Sequence, residues 1–292
     1  MQNAAITDPV FLAAVEAIDN GDIKMLQQLL ASHPELITKR LDTPNEEGYF
    51  KDPYVLWFVA DNPIRHDTLP ANITEVTALL IDALQKSNSD NYQYIMDYTL
   101  GLVCTGRIPK ECRVQIPLMD ILISKGARVK GNVLGAIGQH NFEAALYLLD
   151  KGADYNTATA VALDRWDDIQ YLAQHASASE LYVGLVVASF FGKADMISFL
   201  IEHGADVNGS GTEKDFGGFH SHASALHQAV YSGSLASVQL LVHAGANLNA
   251  TDKAYTGTPL GWAIYMQAEE PGDEMKKKSF AEIEAFLRKQ NQ

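Results

Sequence analysis

One short ending recurs along this 292-residue chain: GADYN at 152–156, GADVN at 204–208 and GANLN at 245–249. Each closes a longer frame that opens near a glycine and runs through a helical stretch, as in GKADMISFLIEHGADVN (192–208) and GSLASVQLLVHAGANLN (233–249). In the second of these, Leu235, Val238, Leu241 and Val242 recur at three- and four-residue intervals and make an apolar helix stripe. HNFEAALYLLDKGADYN (140–156) fits the frame, as does DRWDDIQYLAQHAS (164–177) with Ala176 in the glycine's place. Fainter copies are IPLMDILISKGARV (116–129) and NGDIKMLQQLLASHPEL (20–36). The closing slots fall at Gly126, Gly152, Ala176, Gly204 and Gly245, with intervals of 26, 24, 28 and 41 residues.

A unit of 24–28 residues holds two short antiparallel helices and a tight turn. The closing glycine lets the chain reverse through a left-handed conformation that other residues adopt at a cost. The Asp or Asn behind it can bond its own backbone and open the next turn. First helices are rich in small residues, as in VVASFFG (186–192) and ALHQAVYSG (225–233), so neighbouring pairs can stack closely. One pair cannot bury its apolar face alone, and stacked pairs share a continuous core. The interval of 41 implies an insertion of about a dozen residues beyond the unit length.

These residues resemble the ankyrin repeat family, of the kind found in bacterial ankyrin repeat proteins. The family pattern T-P-L-H-x-A appears as SALHQA (224–229) and as TPLGWA (258–263), which lacks the His. The resemblance is strong over 131–265, moderate over 9–40 and weak over 41–130. In the weak part, LWFVADNPIRHDTLPANITEVTALLIDAL (56–84) looks like a repeat whose inter-helix turn has grown to include PIRHDTLP. YIMDYTLGLVCTG (94–106) followed by 116–129 looks like the next pair. The resemblance implies an all-α ankyrin-repeat solenoid of about eight helix-turn-helix units, with short hairpin fingers and a few longer loop insertions. The approximate units are 9–40, 53–86, 91–130, 131–154, 155–178, 179–208, 222–249 and 255–290, read as one elongated domain over 1–292. The last unit, split by AEEPGDEMKKKS and ending in polar residues, suits a C-terminal cap.

Composition narrows the function. The net charge is −14, against a duplex nucleic-acid binder, which needs Lys and Arg to displace phosphate counterions. That charge suits either a basic partner or plain solubility. Cys104 and Cys112 are too few for a disulfide framework and read as small buried thiols in a reducing compartment. The N-terminus has no basic region before its apolar stretch, and the longest apolar run, Leu181 to Phe191, is too short to cross a membrane. The expectation is a cytoplasmic monomer with no membrane contact.

No catalytic pattern stands out. GSGTEKD (209–215) has the glycines of a phosphate loop without its GxxxxGK[ST] order. His220, His222 and His227 cluster in FHSHASALH, and with Asp215 they form a candidate zinc set. His227, however, falls on the family's His position, where the resemblance implies an imidazole bonded to the backbone of the adjoining turn. GxSxG and HExxH are absent. The chain is read as having no enzyme activity and no cofactor. The alternative is an enzyme or a metal-binding protein using the 209–227 loop.

The resemblance implies a protein partner held on a concave face made by first helices and finger tips. Carried over by position, the residues before the glycine that ends a first helix are Phe190 and Phe191 in one unit and Tyr231 and Ser232 in the next. Either phenylalanine could instead pack into the neighbouring repeat. The finger TDKAYTGT places Asp252, Lys253 and Tyr255 at a tip. Phe216 and Phe219 in the insertion 209–222 would be costly to leave in water, so they either touch a partner or fold back on the array. A third loop, 41–53, carries Tyr49 and Phe50. The candidate partner-binding set is therefore Phe190, Phe191, Phe216, Phe219, Tyr231, Lys253 and Tyr255. Among bacterial relatives of this kind are immunity proteins that neutralise a toxin and secreted effectors.

Overall fold

The computed structural model describes residues 6–43, 51–61, 64–211, 216–269 and 272–291. Tyr49, Phe50 and Asp215 lie outside these residues, as does Pro63 of the extended turn. The chain forms two compact units, Met1–Ala153 and Asp154–Gln292.

The first unit opens with α1 (Pro9–Asp19), which starts where Asp8 caps the amides of Val10 and Phe11 and proline takes the first helical position. Phe11, Ala14, Val15 and Ile18 form its buried stripe. It pairs with α2 (Ile23–Ser32). The next first element is a 3-10 helix, Val55–Ala60, all six of whose residues are buried. Asp61 ends it in a left-handed turn, and α3 (Ile73–Lys86) returns along it. Then come α4 (Tyr92–Thr105), a short α5 (Arg107–Glu111) in the turn, and α6 (Gln115–Ser124). The unit closes with α7 (Val133–Gly138) and α8 (Phe142–Asp150). First elements pack in the order α1, 3-10 helix, α4 and α7; second elements pack in the order α2, α3, α6 and α8. Buried side-chain amides stitch the layers. Gln115 donates to the Val103 carbonyl at 2.9 Å and Asn141 to that of Cys104 at 3.1 Å, serving carbonyls in the last turn of α4.

The second unit repeats the plan with α9 (Thr157–Ala162), α10 (Trp166–Ala173), α11 (Ala178–Phe190) and α12 (Ala194–Glu202). It continues with α13 (Ala225–Tyr231), α14 (Leu235–His243), α15 (Pro259–Glu269) and α16 (Glu274–Gln290). First helices stack α9, α11, α13, α15, and second helices stack α12, α14, α16. Every residue of α11 from Leu181 to Phe190 is buried, which makes it the spine of the unit. The long apolar run is therefore a helix covered on all sides, with no helix among the described residues long and apolar enough to cross a membrane. The cap α16 shows one buried stripe, Phe280, Ile283 and Leu287, and polar residues elsewhere.

The closing glycines behave as their spacing predicts. Gly126, Gly152, Gly204 and Gly245 follow second helices with φ of 101°, 89°, 95° and 90°. A Cβ at any of them would meet nothing within 4 Å, so backbone conformation and not crowding selects glycine. Ala176 takes no such turn; Ser177 starts α11 at once through a capping box with Glu180. The residues behind the glycines bond as expected. The Asn208 amide donates to Asp206 Oδ1 at 2.9 Å, and that of Asn249 to Asn247 Oδ1 at 3.0 Å. Asn208 also ties two neighbouring repeats within the second unit together, donating to the Gly245 carbonyl and accepting from the Asn247 amide.

The fingers between repeats are turns closed by a few hydrogen bonds; the Asp252 amide donates to the Gly257 carbonyl at 2.9 Å. The described residues contain no strand, and their one isolated β-bridge joins Arg40 to Tyr54. In the finger after Asn249, the Asp252 carboxylate accepts from the amides of Ala254, Tyr255 and Gly257 and from the Trp262 indole. The Asp252 side chain thus holds the finger's shape.

Candidate functional site

The aromatic residues of the second unit converge around the end of α11 and the loop that follows α12. The glycines of GSG are explained by close approach: a Cβ on Gly209 would come within 2.8 Å of the Tyr182 ring, and one on Gly211 within 2.5 Å of Phe216. Phe216 packs edge-on against Tyr182 with centroids 6.0 Å apart. Phe219 sits edge-on to Phe190 at 4.9 Å and to Phe191 at 6.0 Å. The loop is pinned through its backbone, since Gln228 donates to the His220 carbonyl and the Lys253 amide to that of His222, both at 2.9 Å.

This arrangement sorts the candidate residues. Phe190, Phe216 and Phe219 are 6%, 3% and 1% exposed, so they fold back into the unit and offer no surface to a partner. The cause is the cost of leaving three rings in water when α11 and the loop can cover one another. Phe191 and Tyr231 are half-buried, and Lys253 and Tyr255 are exposed. Asp252, expected at the finger tip, points inward and is buried. Burial pushes its carboxyl upward, but the bonds from Trp262 and from the Tyr255, Gly257 and Ala254 amides outweigh that and hold it below the usual carboxylate range.

His227 does what its position implied. Its Nε2 donates to the Gly257 carbonyl at 3.0 Å, so Nδ1 is the acceptor for the Ser224 hydroxyl at 2.8 Å and the Ser224 amide at 3.3 Å. Burial lowers its pKa against the opposing pull of that carbonyl. His220 and His222 lie 5.6 Å apart by ring centroid, and the Nε2 of each is buried without a hydrogen-bond partner. Among the described residues no group of three or more His, Cys, Asp or Glu is arranged to hold a metal ion.

The rings form a connected path. Phe190 stacks on Tyr231 at 5.2 Å, Tyr231 meets His220 at 4.7 Å, His220 meets His222, and His222 meets Tyr255 at 5.8 Å. Trp262 underlies it, 5.5 Å from His220 and 6.0 Å from His222. The surface-accessible members are Phe191 and Tyr231 at the ends of their helices and Tyr255, 79% exposed, on the finger. Tyr265, which the sequence reading missed, is a further exposed tyrosine at the corresponding position of the next first helix. Aligning ALHQAVYSG with PLGWAIYMQ puts it in register with Tyr231, and it is 63% exposed beside the exposed Ile264. The signal was the shared frame; the missing His and Gly of that last copy hid it.

The surface these residues make is aromatic, with the exposed Lys253 beside it. The family model described as ankyrin repeats (3 copies) matches residues 162–252 and again residues 185–270. No curated protein matches the chain.

Proposed function

We propose, taking as premise that residues 162–270 are ankyrin repeats, that the protein holds a protein partner on the aromatic face of its second unit. Ankyrin repeats are protein–protein interaction modules and typically non-catalytic. The observation that carries the reading is Tyr255, exposed and packed edge-on to His222 at the rim of a buried aromatic bed, with the exposed Tyr265 in register with Tyr231 on the next first helix. Large rings held rigidly from beneath give contact area at little entropic cost, which is why Tyr dominates binding hot spots. The net charge of −14 favours a partner that is basic overall through steering, and Lys253 offers a rim cation to an acidic group on it. A basic toxin neutralised by an immunity protein is one such partner, and a target engaged by a secreted effector is another. Cys104, buried and pushed up to about 12, and Cys112 are free thiols, in keeping with a reducing compartment.

The test uses residues that the fold does not need. A triple variant Lys253→Ala, Tyr255→Ala, Tyr265→Ala keeps Phe190 and the loop intact. Captured on a resin beside the wild type, it should stay folded by circular dichroism and lose the wild type's bound partner at least about tenfold, since truncating two hot-spot rings removes about 2 kcal/mol or more. Full retention of that partner by the folded variant sinks the proposed face.

A further inference from the structure

The loop that covers α11 is closed over two imidazole nitrogens with nothing to bond. His220 and His222 have buried Nε2 atoms without partners, and the Oε1 of the fully buried Gln228 beside them is also unpartnered. Their ring neighbours are Phe190, Tyr231, Trp262 and Tyr255. Among the described residues the charged and titratable groups facing this pocket are few. From α13 there are His227, whose two nitrogens are already engaged, and Tyr231. From the finger there are Tyr255, Lys253 and Asp252, whose carboxylate is filled by three amides and an indole. Among the described residues, α11 and α15 face it with the uncharged rings of Phe190 and Trp262.

We propose that acidification releases the loop segment 216–222 from α11 and α13, baring Phe190, Phe216 and Phe219. A protonated imidazole at His220 would hold a positive charge among the rings of Phe190, Tyr231 and Trp262 and against His222, with the Gln228 Oε1 as the unpartnered acceptor beside it. In the released state the same group is hydrated. Burial first and His222 second hold the His220 pKa below its ordinary 6.5, which fixes the sign. The closed state binds fewer protons than the open one, so closure is fully favoured above about pH 7 and weakens as pH falls through 6.5. Ring-on-ring packing of Phe219 is then lost while the helix pairs beneath keep their own contacts. The effect on a partner rests on the face proposed above; the release itself does not.

Amide hydrogen exchange on the full chain, corrected for intrinsic rates, tests this between about pH 7.5 and about pH 5. Protection of the Phe219 and Ala223 amides, which donate to Phe216 and His220, should fall as pH passes 6.5, by about tenfold for each unit that the folded pKa lies below the unfolded one. Amides of α9 and α12 should keep theirs. The double variant His220→Phe, His222→Phe should hold its loop closed across the range. Unchanged loop protection in the wild type, or the same loss in the double variant, overturns the proposal. If the double variant does not fold, an NMR titration of wild-type His220 decides, and a pKa at or above 6.5 overturns it. Partner capture at neutral pH plays no part in these readings, so the two proposals fail separately.

Discussion

Replacing Arg65 by alanine is expected to remove about 3–5 kcal/mol of folding stability, as breaking a buried ion pair does. The guanidinium side chain is 1% exposed in the first unit, with its Nη2 2.5 Å from Asp19 and 3.5 Å from Asp61. It lies over the Phe58 ring at 4.8 Å, and Asp19 is further bonded to His66 at 2.9 Å. Without Arg65, Asp61 keeps its burial and loses its counter-charge. Burial already raises the Asp61 pKa, with Arg65 the main opposing pull. The variant should therefore recover part of its deficit on acidification towards the ordinary value of 3.8, where the folded form takes a proton first. The double variant Asp61→Asn, Arg65→Met should be less damaged than Arg65→Ala at neutral pH, because it buries one charge fewer. Urea unfolding of the three proteins checks this; a single-variant loss under about 1 kcal/mol would show the cluster to be hydrated and unimportant.

Phe219→Ala is expected to cost about 3–5 kcal/mol in the second unit. The ring is 1% exposed and meets both Phe190 and Phe191, so its removal opens a cavity that α11 cannot close. Tyr255→Ala, at 79% exposure, should stay within about 0.5 kcal/mol of wild type. Thermal unfolding of the pair separates a fold-back ring from a surface one. Equal stabilities would mean that Phe219 does not seat on α11, and the loop would return to the list of partner contacts.

The parts of this fold legible in sequence are those that repeat. The left-handed slots at Gly126, Gly152, Gly204 and Gly245 were readable because a backbone requirement selects one residue type each time it recurs. His227 was readable because its two hydrogen bonds belong to the repeat frame. The Arg65 cluster was not, since Asp19 ends α1 while Asp61 and Arg65 sit four residues apart in the turn after the 3-10 helix, and each alone looks like a solvated charge. The 3-10 form of Val55–Ala60 was also hidden, its six apolar residues fitting a strand, an α-helix or a buried turn equally well. At the candidate face, the sequence located the aromatic residues and left open which of them pack inward. That choice depends on where the loop lands, and the landing is set by glycine contacts at 209 and 211 that no periodicity encodes.

The claim that this face holds a protein is tested most directly by photocrosslinking. Benzoylphenylalanine in place of Tyr255 or Tyr265, with Tyr171 on α10 as a control that is 67% exposed, would be irradiated in the cells that make the protein. The account expects one and the same protein attached from 255 and 265 and none from 171. Attachment from 171 alone, or none from 255 and 265 while the protein still captures its partner, would contradict it.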